Sequence, residues 1–220
     1  STFRDAGGLW DKYPVEQVAT PEGYARNPEL VINFYNERRK QLLDVVPNAG
    51  HLGVADLERD FNVTVVTQNV DNLHERAGST HVIHLHGELT KVCSSRDPYN
   101  PHFVKELAPE EYEVKLGDKA GDGTQLRPFI VWFGESVPEI ETAIRYVEQA
   151  DIFVIIGTSL NVYPAAGLLN YVPRAAEVYL IDPKPVDTHV MRPIHVIQKG
   201  ASEGVKELKA LLTVTQPPLP

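Results

Sequence analysis

Residues 63–89 read VTVVTQNVDNLHERAGSTHVIHLHGEL, two apolar runs separated by a polar loop. The first run, Val63-Thr64-Val65-Val66-Thr67, is β-branched, the composition of a buried strand. It stops at Gln68-Asn69-Val70-Asp71-Asn72, a cluster of short polar side chains. The second run, His81-Val82-Ile83-His84-Leu85, ends at His86-Gly87. In open α/β sheets, ligands bind just beyond the carboxyl ends of strands. Two strand ends therefore deliver amides, a carboxylate and an imidazole to one rim, a set able to orient a sugar hydroxyl and remove its proton. Asp151–Ile156 is the strongest parallel-strand signal in the chain, and Glu177–Ile181 reads as another strand. The expected fold class is α/β, a doubly wound, mostly parallel sheet.

The chain has 220 residues, enough for one substantial core or one core plus a small lobe. It is 42% hydrophobic and 23% charged, ordinary for a globular protein. A formal net charge of −9 argues against non-specific nucleic-acid binding and suits basic partners such as lysine-rich segments. No apolar run reaches the length of a bilayer span and no signal-peptide pattern opens the chain, so the reading is cytoplasmic, with no membrane association. One cysteine, Cys93, excludes internal disulfides and a cysteine-based zinc cage.

Asn27-Pro28 begins a helix that runs to about Asp44, with Asn as the cap and Pro in the first turn. One stripe on it is Val31, Tyr35, Arg38, Leu42. An arginine inside an apolar stripe needs an anion or a carbonyl, or else its head snorkels to water. Arg39, one step round, is expected to reach solvent. Pro47–Asp60 reads as a second helix with Leu52 and Leu57 inward. Phe129–Glu135 reads as a strand ending in a glycine turn. Pro138–Ala150 reads as an amphipathic helix with Ile140, Ile144 and Val147 inward. Ser202–Leu212 reads as a last helix burying Val205, Leu208 and Leu212. After the strand at 151–156, Gly157-Thr158-Ser159 are small enough for a phosphate to approach backbone N–H groups. An acidic residue at a strand end, Asp182, is a familiar partner of ribose hydroxyls. His86 is the candidate general base, since an unperturbed imidazole titrates at about 6.5. His84 and His86 alternate along one strand and would share a face. That leaves a rival reading, a metal-dependent hydrolase using both histidines with His51, His74 or His81.

TQNVDNLHERAG followed by HLHGEL resembles the signature of the sirtuins, the NAD-dependent protein-lysine deacylases. FRDAGGLW at 3–10, VWFGE at 131–135 and GTSLNVYPA at 157–165 are similar to further sirtuin motifs, in the family's order. The resemblance implies NAD as cofactor, held by Phe3, Arg4, Gln68, Asn69, Asp71, Gly157, Thr158, Ser159, Asp182 and Ala201. It implies His86 and Asn69 as catalytic residues, and a substrate peptide paired with Val131, Phe133, Gly134, Glu135 and Val162 by β-augmentation. Tyr35 and Arg38 are similar to the pair that marks sirtuins acting on acidic acyl groups, where the guanidinium matches the carboxylate of succinyl- or malonyl-lysine. The implied reaction begins with attack of the acyl oxygen on C1′ of the nicotinamide ribose. His86 then deprotonates a ribose hydroxyl that attacks the acyl carbon, giving free lysine, nicotinamide and O-acyl-ADP-ribose. Plain alternatives accompany each residue: a surface loop for Phe3 and Arg4, a polar turn for residues 68–72, a buried strand for residues 129–135.

The chain also departs from the family. Residues 90–127 are polar and rich in Pro and Gly, read as a small irregular lobe. Sirtuins place a structural four-cysteine zinc site there. Here only Cys93 remains, with Arg96 where its partner would stand, so no zinc is expected. Leu180 stands where the family usually carries an asparagine that contacts adenosine. Sirtuins open with a strand and a Gly-Ala-Gly turn that bind the pyrophosphate, and this chain begins after both. A strand burying about five large apolar side chains contributes on the order of 10 kcal/mol, against about 5–15 kcal/mol for a whole domain. The 220 residues are therefore expected to be a fragment of a longer protein, or the product of a reading frame started too late, that folds poorly and turns over slowly by itself.

The expected organisation is a Rossmann-like NAD-binding domain of residues 1–8, 49–87 and 128–212. A small lobe of residues 9–48 and 88–127 and a tail of 213–220 complete it. The expected activity is NAD-dependent deacylation of acylated-lysine proteins by a monomer or weak oligomer. A non-catalytic relative that binds NAD or acyl-lysine is the alternative.

Overall fold

The computed structural model describes residues 12–158, 165–185 and 192–214. Four helices come first: α1 Val15–Val18, α2 Pro21–Arg26, α3 Pro28–Leu42 and α4 Ala49–Asp56. Their starts follow from local chemistry. Thr20 accepts the Gly23 amide at 2.9 Å and Asn27 the Leu30 amide at 3.2 Å, each ahead of a proline in the first turn. Asn48 and His51 cap α4 reciprocally. Such caps are each worth about 1 kcal/mol.

Strand β1 is Val65–Thr67, shorter than the run at 63–67, and β2 is Val82–His84, with α5 Leu73–Ala77 between them. They form a two-stranded sheet. The Val65 amide bonds the His81 carbonyl and the Leu85 amide bonds the Thr67 carbonyl, so both strands run the same way. Residues 90–127 are more regular than their composition predicts. β3 Gly87–Ser94 pairs antiparallel with β4 Lys105–Glu106 and with β5 Leu126–Ile130. This is a correction. Turn-forming residues outnumber strand formers in that segment, and the strands are decided by partners distant in sequence. A third sheet, β6 Ile152–Ile156, β7 Glu177–Ile181 and β8 His195–Ile197, is parallel throughout. Around it in sequence come α6 Ile140–Val147, α7 Ala165–Leu169 and α8 Ala201–Val214. Parallel strands joined through helices make this a Rossmann-like α/β protein, as expected, with an antiparallel sheet added.

The chain divides into two compact units. One is Ser1–Val46, Val66–Asn72 and His84–Pro138; the other is Pro47–Val65, Leu73–Ile83 and Glu139–Pro220. In the first, Ile32, Val92 and Val114 form a buried cluster flanked by Tyr24, Leu107 and Leu126. In the second, Val205, Leu208 and Leu212 of α8 pack with Leu57, Tyr179, Ile181 and Ile197, as the spacing on α8 predicts. Burying side chains of this size stabilises by about 1.5–3 kcal/mol each. A Cβ at Gly204 would collide with Ile181, so α8 lies close on β7 only because that position has no side chain.

Four further expectations are corrected. Leu52 is exposed, because α4 ends at Asp56 and turns Val54 inward instead, with Leu57 following through a short 3-10 segment at 57–59. Arg39 does not reach solvent. It is buried, donating to Tyr112 O, Leu89 O and Asn36 Oδ1, and burial lowers its pKa to about 10, still cationic at neutral pH. The strand expected at 129–135 runs instead from Leu126 to Ile130, leaving 131–135 as a loop and turn. β2 ends at His84 and His86 lies in the turn before β3, so the two histidines do not alternate along one strand.

Candidate active site

The loop after β1 is pinned by side chains. Thr67 Oγ1 accepts the Asn69 amide at 3.0 Å, and His84 Nδ1 lies 3.0 Å from the Asn69 carbonyl oxygen. A carbonyl only accepts, so Nδ1 carries the proton. Leu89 N–H bonds the Val70 carbonyl at 2.8 Å. With its backbone held at both faces, Asn69 leaves its own side chain exposed, beside half-buried Gln68 and buried Asp71. His84 thus ties the Gln68–Asn72 loop to the segment that carries His86.

His86 is half-buried, and its carbonyl accepts the Val131 amide at 2.9 Å. Gly87 follows with φ +90°, a conformation L side chains rarely adopt. A Cβ there would also strike the Phe129 carbonyl oxygen and press on Ile130. Only glycine lets the His86 turn lie this close on β5.

Residues 131–135 join this turn to α3. Trp132 is 2% exposed, and its indole Nε1–H donates to the Tyr35 hydroxyl at 3.0 Å. The Tyr35 hydroxyl donates in turn to the Val18 carbonyl at 2.8 Å. Burial raises the Tyr35 pKa, with the Trp132 N–H working the other way, so the phenol stays protonated. The predicted stripe Val31, Tyr35, Arg38, Leu42 is buried throughout. The Arg38 guanidinium lies 5.1 Å over the Phe34 ring, and burial lowers its pKa against the pull of Glu37 and Tyr35.

The Glu135 side chain is committed within the protein. Its carboxylate accepts from Arg127 Nη1 (3.0 Å) and Nη2 (3.1 Å), from the Tyr99 hydroxyl (3.0 Å) and from the Trp132 amide (2.8 Å). Burial works to raise its pKa, but Arg127 and the other donors outweigh it and hold the carboxyl below the usual range. Arg127 also stacks on Trp132, 3.8 Å from the ring. Phe133 is 68% exposed, its amide on the Ala19 carbonyl at 3.0 Å, and Gly134 turns with φ +90°.

In the parallel sheet, Ile156 pairs with Ile181, so Gly157 and Asp182 emerge side by side at the carboxyl ends of β6 and β7. Gly157 has φ +68° and donates to the Ile181 carbonyl, and Thr158 follows half-buried. One Asp182 oxygen accepts the Lys184 amide at 2.8 Å. Ala201 is the first residue of α8. An open glycine turn beside an acidic strand end suits a nucleotide cofactor. Phe3, Arg4, Ser159 and Val162 lie outside the described residues.

The residues do not fit a thiolate-held zinc. Cys93 is fully buried with Sγ turned to the Pro128 carbonyl, and burial pushes its thiol up to about 12. Beside it, the two oxygens of Asp122 take the hydroxyls of Ser94 (2.5 Å) and Thr124 (2.7 Å), and Ser95 Oγ donates to Gln125 O at 2.6 Å. Of the histidines, His51 and His74 meet ring to ring at 4.9 Å, while His84 groups with Glu75 and Glu88. Among the described residues, no group of three possible metal ligands contains more than one histidine. His51 is spent on its helix cap, and His81 lies on Thr64 and Tyr146.

Sequence reasoning missed Trp132, Arg127 and Tyr99, and read His84 only as a metal ligand of the rival reading. The arginine inside the apolar run Leu126–Ile130 was the available signal, since a buried cation demands a partner.

The sequence model of the Sir2 family matches residues 1–164. An NAD-dependent protein deacylase of Bacteroides thetaiotaomicron is 84% identical over 212 residues, 96% of this chain and 91% of that protein. One of Helicobacter pylori is 47% identical over 207 residues, 94% of this chain and 88% of that protein. The crystal structure of a Sir2 homologue–NAD complex superposes with a TM-score of 0.77 at 36% identity, covering 97% of this chain and 83% of that one. The chain with this pinned loop and histidine turn belongs to the Sir2 family.

Proposed function

We infer that the protein is an NAD-dependent protein-lysine deacylase. The observation that carries this is the His86 turn, locked to residue 131 on one side and tied through His84 to the Asn69 loop on the other. The relatives named as deacylases support the same reading.

When bound, NAD supplies an electrophilic ribose carbon and a leaving nicotinamide. Gly157, Thr158 and Asp182 would hold the nucleotide at the strand ends, with Ala201 at the start of α8 near its base. Gln68, Asn69 and Asp71 would hold the nicotinamide ribose. His86 takes the proton of a ribose hydroxyl, the general-base step, worth about 10²- to 10⁴-fold. Val131, Phe133, Gly134 and Glu135 are read as the edge that accepts the peptide backbone, with Phe133 offering exposed apolar surface. Tyr35 and Arg38 are read as the pair that takes an acidic acyl group, which makes succinyl- and malonyl-lysine substrates alongside acetyl-lysine. The partner is an acylated-lysine protein; a cytoplasmic monomer or weak oligomer that does not bind nucleic acid completes the proposal. Among the described residues no helix is long and apolar enough to cross a membrane.

The test follows nicotinamide release from NAD with matched succinyl- and acetyl-lysine peptides. Release favouring succinyl supports the whole reading. Release favouring acetyl keeps the enzyme and discards the acidic-acyl role. NAD binding without release points to a binding-only relative. His86→Tyr is expected to abolish turnover while thermal unfolding stays cooperative; full activity in that variant would sink the base assignment.

A further inference from the structure

The Tyr35 hydroxyl raises a problem of hydrogen-bond arithmetic. It has one proton, and that proton goes to the Val18 carbonyl. The indole N–H of Trp132 occupies one lone pair. A carboxylate has no proton to give and can only accept. Tyr35 can therefore pair with an acidic acyl group only by turning its O–H away from Val18, while its oxygen stays where the indole holds it.

The holder is itself held. Trp132 has the Arg127 guanidinium on one face at 3.8 Å and the Tyr24 ring at 5.3 Å. Its backbone amide is bound by Glu135, which also fixes Arg127 through two bonds. Trp132, Tyr35 and Arg127 are each under 5% exposed, so solvent does not loosen the contacts among these three.

We propose that Trp132 is a specificity-determining positioning residue, whose indole N–H fixes the Tyr35 oxygen while the Tyr35 proton turns from the Val18 carbonyl to the carboxylate of an acidic acyl group. With a neutral acyl group the proton stays on Val18 and the indole contributes little to turnover. With an acidic one, the bond from Trp132 polarises the phenol and strengthens its donation, since linked hydrogen bonds reinforce one another. Glu135 and Arg127 then serve acyl selection without touching the acyl group. The proposal rests on the reading of Tyr35 as a carboxylate contact.

The experiment compares kcat/KM for succinyl- and acetyl-lysine peptides in Trp132→Phe, Tyr35→Phe and the double variant, with thermal unfolding to verify the fold. Trp132→Phe keeps an aromatic ring and deletes the N–H. The succinyl-to-acetyl ratio should fall roughly five- to tenfold, the worth of one neutral hydrogen bond. The double variant should then be no worse in ratio than Tyr35→Phe alone. Equal losses with both peptides, or an unchanged ratio, would overturn the proposal. An unchanged ratio in Tyr35→Phe means the reading of Tyr35 itself has failed. A changed ratio there with none in Trp132→Phe means that only the proposal has failed. Should Trp132→Phe not fold, placing the benzothiophene isostere of tryptophan at this position removes the N–H at constant shape, and the same ratio decides.

Discussion

At the scale of single residues, the site is built from side chains whose partners leave little choice. Glu135 is the clearest case, with four donors converging on one carboxylate. Its carboxyl titrates lower folded than unfolded, so the stability it contributes is present above about pH 4.3, its unfolded value, and drains as acid protonates the folded form. Glu135→Gln removes the charge and leaves Arg127 buried without its counterion. The variant should lose about 3 kcal/mol at neutral pH, and its stability should fall less steeply than that of the parent between about pH 5 and 3. Denaturant titrations at several pH values check this; parallel acid limbs would refute it. Sequence reads Glu135 only as part of the VWFGE run, and the fold adds the arginine eight residues earlier that closes on its carboxylate.

At the scale of elements, the turn bearing His86 depends on the residue after it. Gly87→Ala adds a methyl group where φ is +90° and where the Phe129 carbonyl already fills the space. The variant should lose about 2–4 kcal/mol and most of its turnover, because β3 must move off β5 and the imidazole goes with it. Thermal unfolding and nicotinamide release measure both, and wild-type values in either would contradict the account. Elements were legible where pattern and packing agree. Val205, Leu208 and Leu212 marked the inner face of α8, Asn27-Pro28 marked the start of α3, and Glu177–Ile181 gave β7 residue for residue. They were illegible where a partner far along the chain decides. β3, β4 and β5 stabilise one another across the segment 90–127 of turn-like composition. Leu52 looked inward on a helical wheel but lies outside the face that α4 turns to α8. Of the candidate site, the loop Gln68–Asn72 and His86 could be read directly, whereas the partners that aim them could not.

At the scale of the whole molecule, two features set how the protein meets its surroundings. The net charge of −9 is the first, and the proposed approach to lysine-rich protein segments leans on it. The segment around Cys93 is closed by Asp122, Ser94 and Thr124 instead of by thiolates. Treatment with a strong chelator should therefore leave both the thermal midpoint and nicotinamide release unchanged; a fall in either, restored by zinc, would refute it. Trp132 has a consequence of another kind. The chain has two tryptophans, and this one sits sealed from water, with a cation on its face and Tyr24 and Tyr35 at 5.3 and 6.4 Å. An indole so enclosed fluoresces toward the blue and collects excitation from neighbouring phenols. If an acidic acyl group draws the Tyr35 proton away as proposed, that emission must shift, and the protein then carries an optical readout of the event.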